Sequence, residues 1–220
     1  MITNLDTTNT AYPTKARNRL VNAPKLQVLG DVNVLSTTSI AVIGSRYASD
    51  YSTQVVPAFV QEFANRRVSV ISGLAPGVDY MAHIYAIECK TPAIGVLGFG
   101  LNYLYEFENY DLVKKIIEHG GCVVSPFKSS QKPEKFTFIE RNKLIAALCA
   151  AVVIVEATIK SGTFYTVQSA VEFDVPVFAV PGNVFSKNSK GTHSLIKSGA
   201  YLADSPIDVL EVLNFDKNSL

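Results

Sequence analysis

Ile40-Ala41-Val42-Ile43-Gly44-Ser45-Arg46 is the stretch on which the fold turns. Four apolar residues in a row, with no polar residue between them, describe a strand covered on both faces rather than one with a face on water. The glycine, hydroxyl and cation that follow mark a loop, and beyond it Phe59, Phe63 and Ala64 fall at helical spacing. The same phrase recurs along the chain. Residues 68–71 precede Ser72-Gly73-Leu74-Ala75-Pro76-Gly77 and a helix through Met81, Ile84 and Tyr85; residues 93–97 precede Gly98-Phe99-Gly100 and a helix near residues 111–119. Residues 122–124 lead to a long helical pattern over 135–148, residues 152–155 to a loop over 156–163 and a further helix, and residues 177–180 to Pro181-Gly182. Buried strand, short loop and helix in regular alternation imply right-handed βαβ crossovers, so the expected fold is α/β, doubly wound, with a mainly parallel sheet. In such a sheet every strand-to-helix loop leaves from one carboxyl edge, where doubly wound folds bind their ligands.

Outward from this core, residues 1–22 are rich in Thr and Asn with little apolar periodicity and read as a flexible N-terminal arm. Its Lys15, Arg17 and Arg19 are either a solvated tail or an auxiliary contact to nucleic acid. Residues 23–220 read as one domain, which a 220-residue chain with 48% hydrophobic residues is long enough to close around a single core. The segment from Pro24 alternates apolar and polar residues up to Gly30, as a short lead-in strand does. Near the other end a small unit, Gly191-Thr192-His193 with Leu195 and Ile196, is followed by Tyr201-Leu202 and a helix with Asp204 or Ser205 as its cap and Pro206 in its first turn.

The net charge of +1 supplies no global field, so a phosphate or nucleic-acid partner has to be held by a local constellation. Cys89, Cys122 and Cys149 show no CxxC spacing and sit in apolar surroundings, the pattern of reduced thiols in a cytoplasmic protein without a metal site. The N-terminus lacks a cationic stretch followed by an apolar core, and no apolar run approaches ~20 residues, so neither secretion nor membrane spanning is expected.

The candidate ligand-binding residues come from loops far apart in sequence that the parallel sheet gathers on one rim. Arg46, Ser72, Gly73, Lys135, Phe138, Arg141, Asn142, Lys160, Ser161 and Gly162 all belong to this edge. Gly44-Ser45, Ser72-Gly73 and Ser161-Gly162-Thr163 are each able to present backbone N–H groups at a helix start, the physics by which phosphates are cradled, although a glycine after a strand also serves plain turn geometry. Within residues 135–148, Phe138, Arg141, Ile145 and Leu148 share a face. A cation in a first helical turn faces the positive end of the dipole, so Arg141 and Lys143 ask for an anion, which is either an external phosphate or the neighbouring Glu134 and Glu140. Phe138, flanked by Lys135 and Arg141, is either a stacking surface for an unpaired base or a staple between helix start and core.

Enzyme chemistry finds less support. Gly98-Phe99-Gly100 begins like a dinucleotide fingerprint, but Tyr103 stands where close helix packing needs a small residue, there is no P-loop lysine, and no cofactor is expected. Asp79 and His83 lie four apart, as either an acid–base pair or a helix-stabilising ion pair. His119 precedes Gly120-Gly121 as a helix C-terminal residue does, and His193 has no partner legible in sequence.

Read together, Ala41-Val42-Ile43-Gly44-Ser45-Arg46, the run from Ser72 through Gly77 to His83, Phe138-Ile139-Glu140-Arg141-Asn142, Lys160-Ser161-Gly162, Val180-Pro181-Gly182 and Gly191-Thr192 occur in the order they have in the DprA/Smf family of bacterial DNA-processing proteins, which the chain resembles from about Pro24 to Leu213. The resemblance implies a Rossmann-like domain that binds single-stranded DNA without cleaving it, dimerises, and hands the strand to a RecA-type recombinase in natural transformation. It implies strand-binding roles for Arg46, Lys135, Phe138 and Lys160, with Arg141 and Asn142 matching the family's Arg-Asn pair. Glu140 stands where many relatives are basic, Thr163-Phe164-Tyr165-Thr166-Val167 replaces a smaller Ser-rich helix start, and His193 replaces a polar amide. The flanking helical and winged-helix-like modules often found in the family are not legible in these residues. A reading of a different class is a nucleotide-binding or nucleotide-hydrolysing enzyme similar to the LOG-type phosphoribohydrolases of the same superfamily. Those carry a Pro-Gly-Gly-x-Gly-Thr loop, where this chain has Ala157-Thr158-Ile159-Lys160-Ser161-Gly162-Thr163, with a lysine and no double glycine.

Overall fold

In the computed structural model, which describes residues 2–215, the alternating phrases become one nine-stranded sheet. Its strands are β1 (Ile2–Leu5), β2 (Leu26–Gly30), β3 (Ser39–Ile43), β4 (Ser69–Ser72), β5 (Ala93–Val96), β6 (Cys122–Ser125), β7 (Ala151–Ile154), β8 (Val177–Ala179) and β9 (Tyr201–Leu202), in the spatial order β1-β2-β6-β5-β4-β3-β7-β8-β9. From β6 to β9 all neighbours are parallel, and β1 and β2 close one edge antiparallel. The mainly parallel, doubly wound α/β arrangement is the one expected.

The unbroken apolar runs are explained by what covers them. Ile40 and Val42 enter a core with α2 (Asp50–Asn65), α3 (Val78–Glu88), α4 (Tyr110–Glu118) and α8 (Pro206–Val212). Ala41 and Ile43 point the other way, into a core with α1 (Thr14–Arg19), α5 (Lys135–Leu148), α6 (Thr163–Glu172) and α7 (Lys190–Lys197). Alternate side chains of residues 40–43 therefore serve opposite layers, which is why both of their faces are apolar. Cys122 and Cys149 lie in the second core as free thiols, their pKa values pushed up to about 12 by burial. Ser205 is the cap of α8, its hydroxyl accepting the Ile207 N–H at 3.2 Å.

Residues 1–22, read as a flexible arm, are corrected by the structure over the described residues 2–22. β1 pairs with β2 in the register Leu5↔Leu26, and α1 lies against α5. Tyr12 is 1% exposed, its hydroxyl donating to the Pro24 carbonyl at 2.8 Å, and Leu5 and Ala16 are buried. Arg19, entertained as a nucleic-acid contact, instead donates to the carbonyls of Ala146, Ala147 and Cys149 at 3.4, 3.2 and 2.7 Å, satisfying acceptors that the end of α5 leaves open. The segment is held by backbone pairing and a few anchors, which a composition rich in Thr and Asn conceals.

The order of strands fixes where a ligand can sit. From β3 the chain winds outward through β4, β5 and β6, then returns to β7 on the other side of β3. β3 and β7 flank the topological switch point, and outside their carboxyl ends the following loops diverge and leave a crevice.

Candidate functional site

That crevice is a groove of about 670 Å³ bounded by the loop after β3 (Arg46, Tyr47), the start of α5 (Lys135, Phe138, Asn142) and the loop between β7 and α6 (Lys160, Ser161, Gly162). Arg46, Lys135 and Lys160 are exposed and come from three separate elements. Among the described residues, the ion pairs within 4 Å are Arg66–Glu62 at the C-terminal end of α2 and Lys114–Asp111 on α4, so no carboxylate forms such a pair with these three cations. Their positive charge is free to meet an anion.

The start of α5 is fixed by a residue that sequence reading passed over. Thr137, fully buried, accepts the Glu134 N–H at 3.1 Å through its hydroxyl and donates to the Gly98 carbonyl, tying the helix to the loop after β5. Phe138, one position on, is half-buried, and its ring lies so close over Gly98 that a Cβ added there would meet Cδ1 at 2.6 Å. The guanidinium carbons of Arg46 and Arg141 stand 6.0 and 5.7 Å from the ring centroid. The ring thus staples α5 to the loop after β5, and it also shows an aromatic surface to the groove beside Arg46. It also partitions the groove from a second cavity of about 370 Å³, bordered by Leu74, Leu97 and Phe107.

Arg141 is in the groove wall but not in the first helical turn, where the sequence expectation places it. It is the seventh residue of α5, it is only 5% exposed, and its guanidinium donates to the Gly73 carbonyl and to the Val96 carbonyl at 2.8 Å, with Nε donating to Asn142 Oδ1 at 2.9 Å. Asp79 lines the groove as well, and its opposite charge acts on Arg141 without an ion pair inside 4 Å. Asp79 faces it across Gly73, where an added Cβ would meet Arg141 Nη1 and Asp79 Oδ2 each at 2.6 Å. Burial holds the Arg141 pKa down to about 10 and raises that of Asp79, against which the opposite charge and backbone N–H groups act.

Ser72 and Gly73 are likewise turned inward. The Ser72 hydroxyl donates to the Val42 carbonyl at 2.7 Å from a fully buried position, and the Gly73 N–H donates to Asp79 Oδ2 at 3.1 Å. Neither lines the groove, and their groups cannot cradle a phosphate while so engaged. The loop after β7 is the opposite case. Ser161 and Gly162 lie in the groove wall, Gly162 has open space about its Cα, and Asn142 Nδ2 reaches across to the Gly162 carbonyl at 3.3 Å. Asn142 therefore links α5, through Arg141, to the lysine-bearing loop.

The carboxylates near the site are occupied, whereas His83 is buried without a side-chain partner. Glu156, at the end of β7 and 2% exposed, accepts the Ser49 N–H at 2.9 Å and the Ser49 and Ser52 hydroxyls at 2.6 Å, which secures the start of α2. Asp79 and His83 do not form the pair that their spacing allowed: neither His83 ring nitrogen has a side-chain hydrogen-bond partner, and burial drives its pKa down to about 3. His193 finds its partner in Gly182, with Nε2 3.1 Å from the carbonyl. No group of three His, Cys, Asp or Glu residues able to hold a metal occurs among the described residues, and none of their helices is long and apolar enough to cross a membrane. Sequence reasoning also missed Tyr47, Tyr165 and Asn188 in the groove wall, since nothing in their local pattern distinguishes them from surface residues.

Comparison with known proteins agrees with this fold. Residues 3–214 match the family model described as DNA recombination-mediator protein A. The chain is 38% identical to Protein Smf of Escherichia coli over 190 residues, 86% of this chain and 51% of that protein. Among solved structures, DNA processing protein A (DprA) of Streptococcus pneumoniae superposes with a TM-score of 0.86 at 32% identity over 96% of this chain and 74% of that one. The Helicobacter pylori DNA processing protein A, whose structure addresses its single-stranded DNA binding mode, gives a TM-score of 0.84 at 28% identity over 98% and 96%. The chain spans about half the length of the E. coli relative.

Proposed function

Because the chain belongs to the DNA recombination-mediator protein A family, the DprA/Smf proteins, we propose that its groove binds single-stranded DNA. The observation that carries this reading is the convergence of Arg46, Lys135 and Lys160, all exposed, around the half-exposed ring of Phe138. Cations tracking one phosphate backbone, with an aromatic face for an unpaired base, are the chemistry of single-strand binding. The Helicobacter pylori relative, studied for its single-stranded DNA binding mode, aligns over nearly the whole chain and supports the same use here.

The groove works as a binding site rather than a reaction site. Glu156, Asp79 and Arg141 are committed to bonds within the protein, and the loop over 157–163 offers a cation instead of the paired glycines of a base-releasing enzyme. Protection of the bound strand, its transfer to a RecA-type recombinase, and homodimerisation complete the proposal, and all three rest on the family relationship.

The test is side-by-side titration with an oligothymidylate, a duplex of the same length and a nucleoside monophosphate. The expected result is tight, salt-sensitive binding of the single strand, weaker binding of the duplex, whose bases are already stacked, and little binding of the monophosphate. Equal affinity for single strand and duplex would overturn the reading, and preference for the monophosphate would favour a nucleotide-processing site.

A further inference from the structure

Phe185 is 91% exposed and Val184 59% exposed, yet the turn that carries them is firmly tied down. Asn183 Oδ1 accepts the Phe185 N–H at 2.9 Å, the Asn183 carbonyl accepts the Ser186 N–H at 3.0 Å, and Lys190 Nζ reaches back to the Val184 carbonyl at 2.6 Å. The base of the turn is anchored to the sheet edge, where the Ala157 N–H donates to the Asn188 carbonyl at 2.7 Å. A phenyl ring so held in water gains nothing for the fold, because its apolar surface stays hydrated while the backbone beneath it is fixed.

The turn borders the groove. Asn188 is part of the groove wall, and its Nδ2 donates at 2.9 Å to the backbone carbonyl of Tyr47, which lines the groove from the loop after β3 and is 87% exposed. Two exposed aromatics are thus set on backbone segments bonded to one another. Along the segment that carries Phe185 the charge has one sign: between Asp174 and Asp204 the sequence carries Lys187, Lys190 and Lys197 and no Asp or Glu, and Lys160 stands in the adjoining loop. A protein partner of ordinary composition has no call for that pattern, whereas a polyanion with flat apolar bases fits both halves of it.

We propose that Phe185 and Tyr47 form a second stacking platform, which carries a single strand of nucleic acid past the groove and out over the turn at residues 183–188. The inference rests on the proposed use of the groove for single-stranded DNA and extends it to the strand's onward path. On this account the footprint exceeds the few nucleotides that the groove holds, and the added nucleotides are bound by ring stacking with Lys187 following the backbone.

The chain contains no tryptophan, so Phe185→Trp introduces a sole indole at this position and a direct optical report of stacking. The experiment titrates wild type, Phe185→Ala and Phe185→Trp with oligothymidylates of about four and about twelve nucleotides, within the range of single-strand site sizes. The expected result is that Phe185→Ala weakens the longer oligomer by about 5- to 150-fold, the span that one stacked base represents, and leaves the shorter one unchanged. Phe185→Trp retains wild-type affinity, and its emission is quenched by the longer oligomer alone. If wild type binds both oligomers and neither affinity nor emission responds at position 185, the second platform is refuted while the groove reading stands. Failure of wild type to bind either oligomer refutes both. If light scattering shows a wild-type dimer that Phe185→Ala converts to monomer with unchanged binding of the longer oligomer, the turn serves a second copy of the chain and the proposal is overturned.

Discussion

Ser72-Gly73 and Ser161-Gly162 read alike as sequence, each a hydroxyl and a glycine beyond a parallel strand at the same edge of the sheet, but the molecule uses them in opposite ways. At the first, every polar group is spent inside: Ser72 on Val42, the Gly73 N–H on Asp79, and the Gly73 carbonyl on Arg141. At the second, Ser161 and Gly162 stand in the groove wall beside an exposed lysine. The difference arises in the neighbours, because β4 lies within the sheet with α3 and α5 over its end, whereas the loop after β7 lies at the switch point where the chain parts. A glycine is required in the first because nothing larger fits, and tolerated in the second because nothing is near.

The comparison breaks most visibly at Arg141. Arg141→Ala leaves Asp79 buried without its opposite charge and two carbonyls without their donor, and is expected to cost about 3–5 kcal/mol of stability, measured by denaturant unfolding. A variant as stable as wild type but impaired in strand binding would mean that Arg141, which is part of the groove wall, acts as a direct contact instead.

The glycines themselves come next. Gly73→Ala forces a Cβ to within 2.6 Å of Arg141 Nη1 and Asp79 Oδ2 and is expected to cost about 1–3 kcal/mol, whereas Gly162→Ala, with nothing within 4 Å of the added atom, stays within about 0.5 kcal/mol. Equal losses at the two positions would erase the distinction between a packed loop and an open one.

A smaller effect comes from His83, which lies beneath the inward loop on α3. Its folded pKa of about 3 lies below the ordinary 6.5, so the unfolded chain takes up a proton that the folded one refuses, and stability is lost as pH falls from 6.5 toward 3. Between about pH 7.5 and about pH 5.5 the loss is on the order of 1 kcal/mol. Asp79 acts in the opposite sense, since its raised pKa lets the folded state hold a proton that the unfolded state has released. The His83 contribution is therefore read as the difference between the pH profiles of wild type and His83→Leu, and parallel profiles would contradict it.

The fold was largely legible in sequence because a strand buried on both faces writes itself as an unbroken apolar run, as residues 40–43 do, and the alternation of such runs with helices implies the crossovers. The arm was not legible, because β1 is held by backbone bonds to β2 that leave no side-chain signature and α1 is anchored by isolated residues such as Tyr12 and Ala16. Within the site, the rim and its exposed cations follow from topology, while the inward turn of Arg141, Ser72 and Gly73 does not. It depends on Asp79 and on the carbonyls of Val42 and Val96, which become neighbours only when β3, β4, β5 and α5 are assembled. Local sequence names the chemistry of a loop, and packing decides whether that chemistry faces a ligand or the core.

Contact of Arg46, Lys135 and Lys160 with the phosphates of a single strand, as proposed, is read most directly from the salt dependence of oligothymidylate binding. For wild type and the three single alanine variants, the logarithm of the association constant is measured against the logarithm of salt concentration. Each variant is expected to fold as wild type and to flatten the slope by about 0.7 for each phosphate contact removed. Slopes identical to wild type in all three variants would contradict the account and move the strand off this groove.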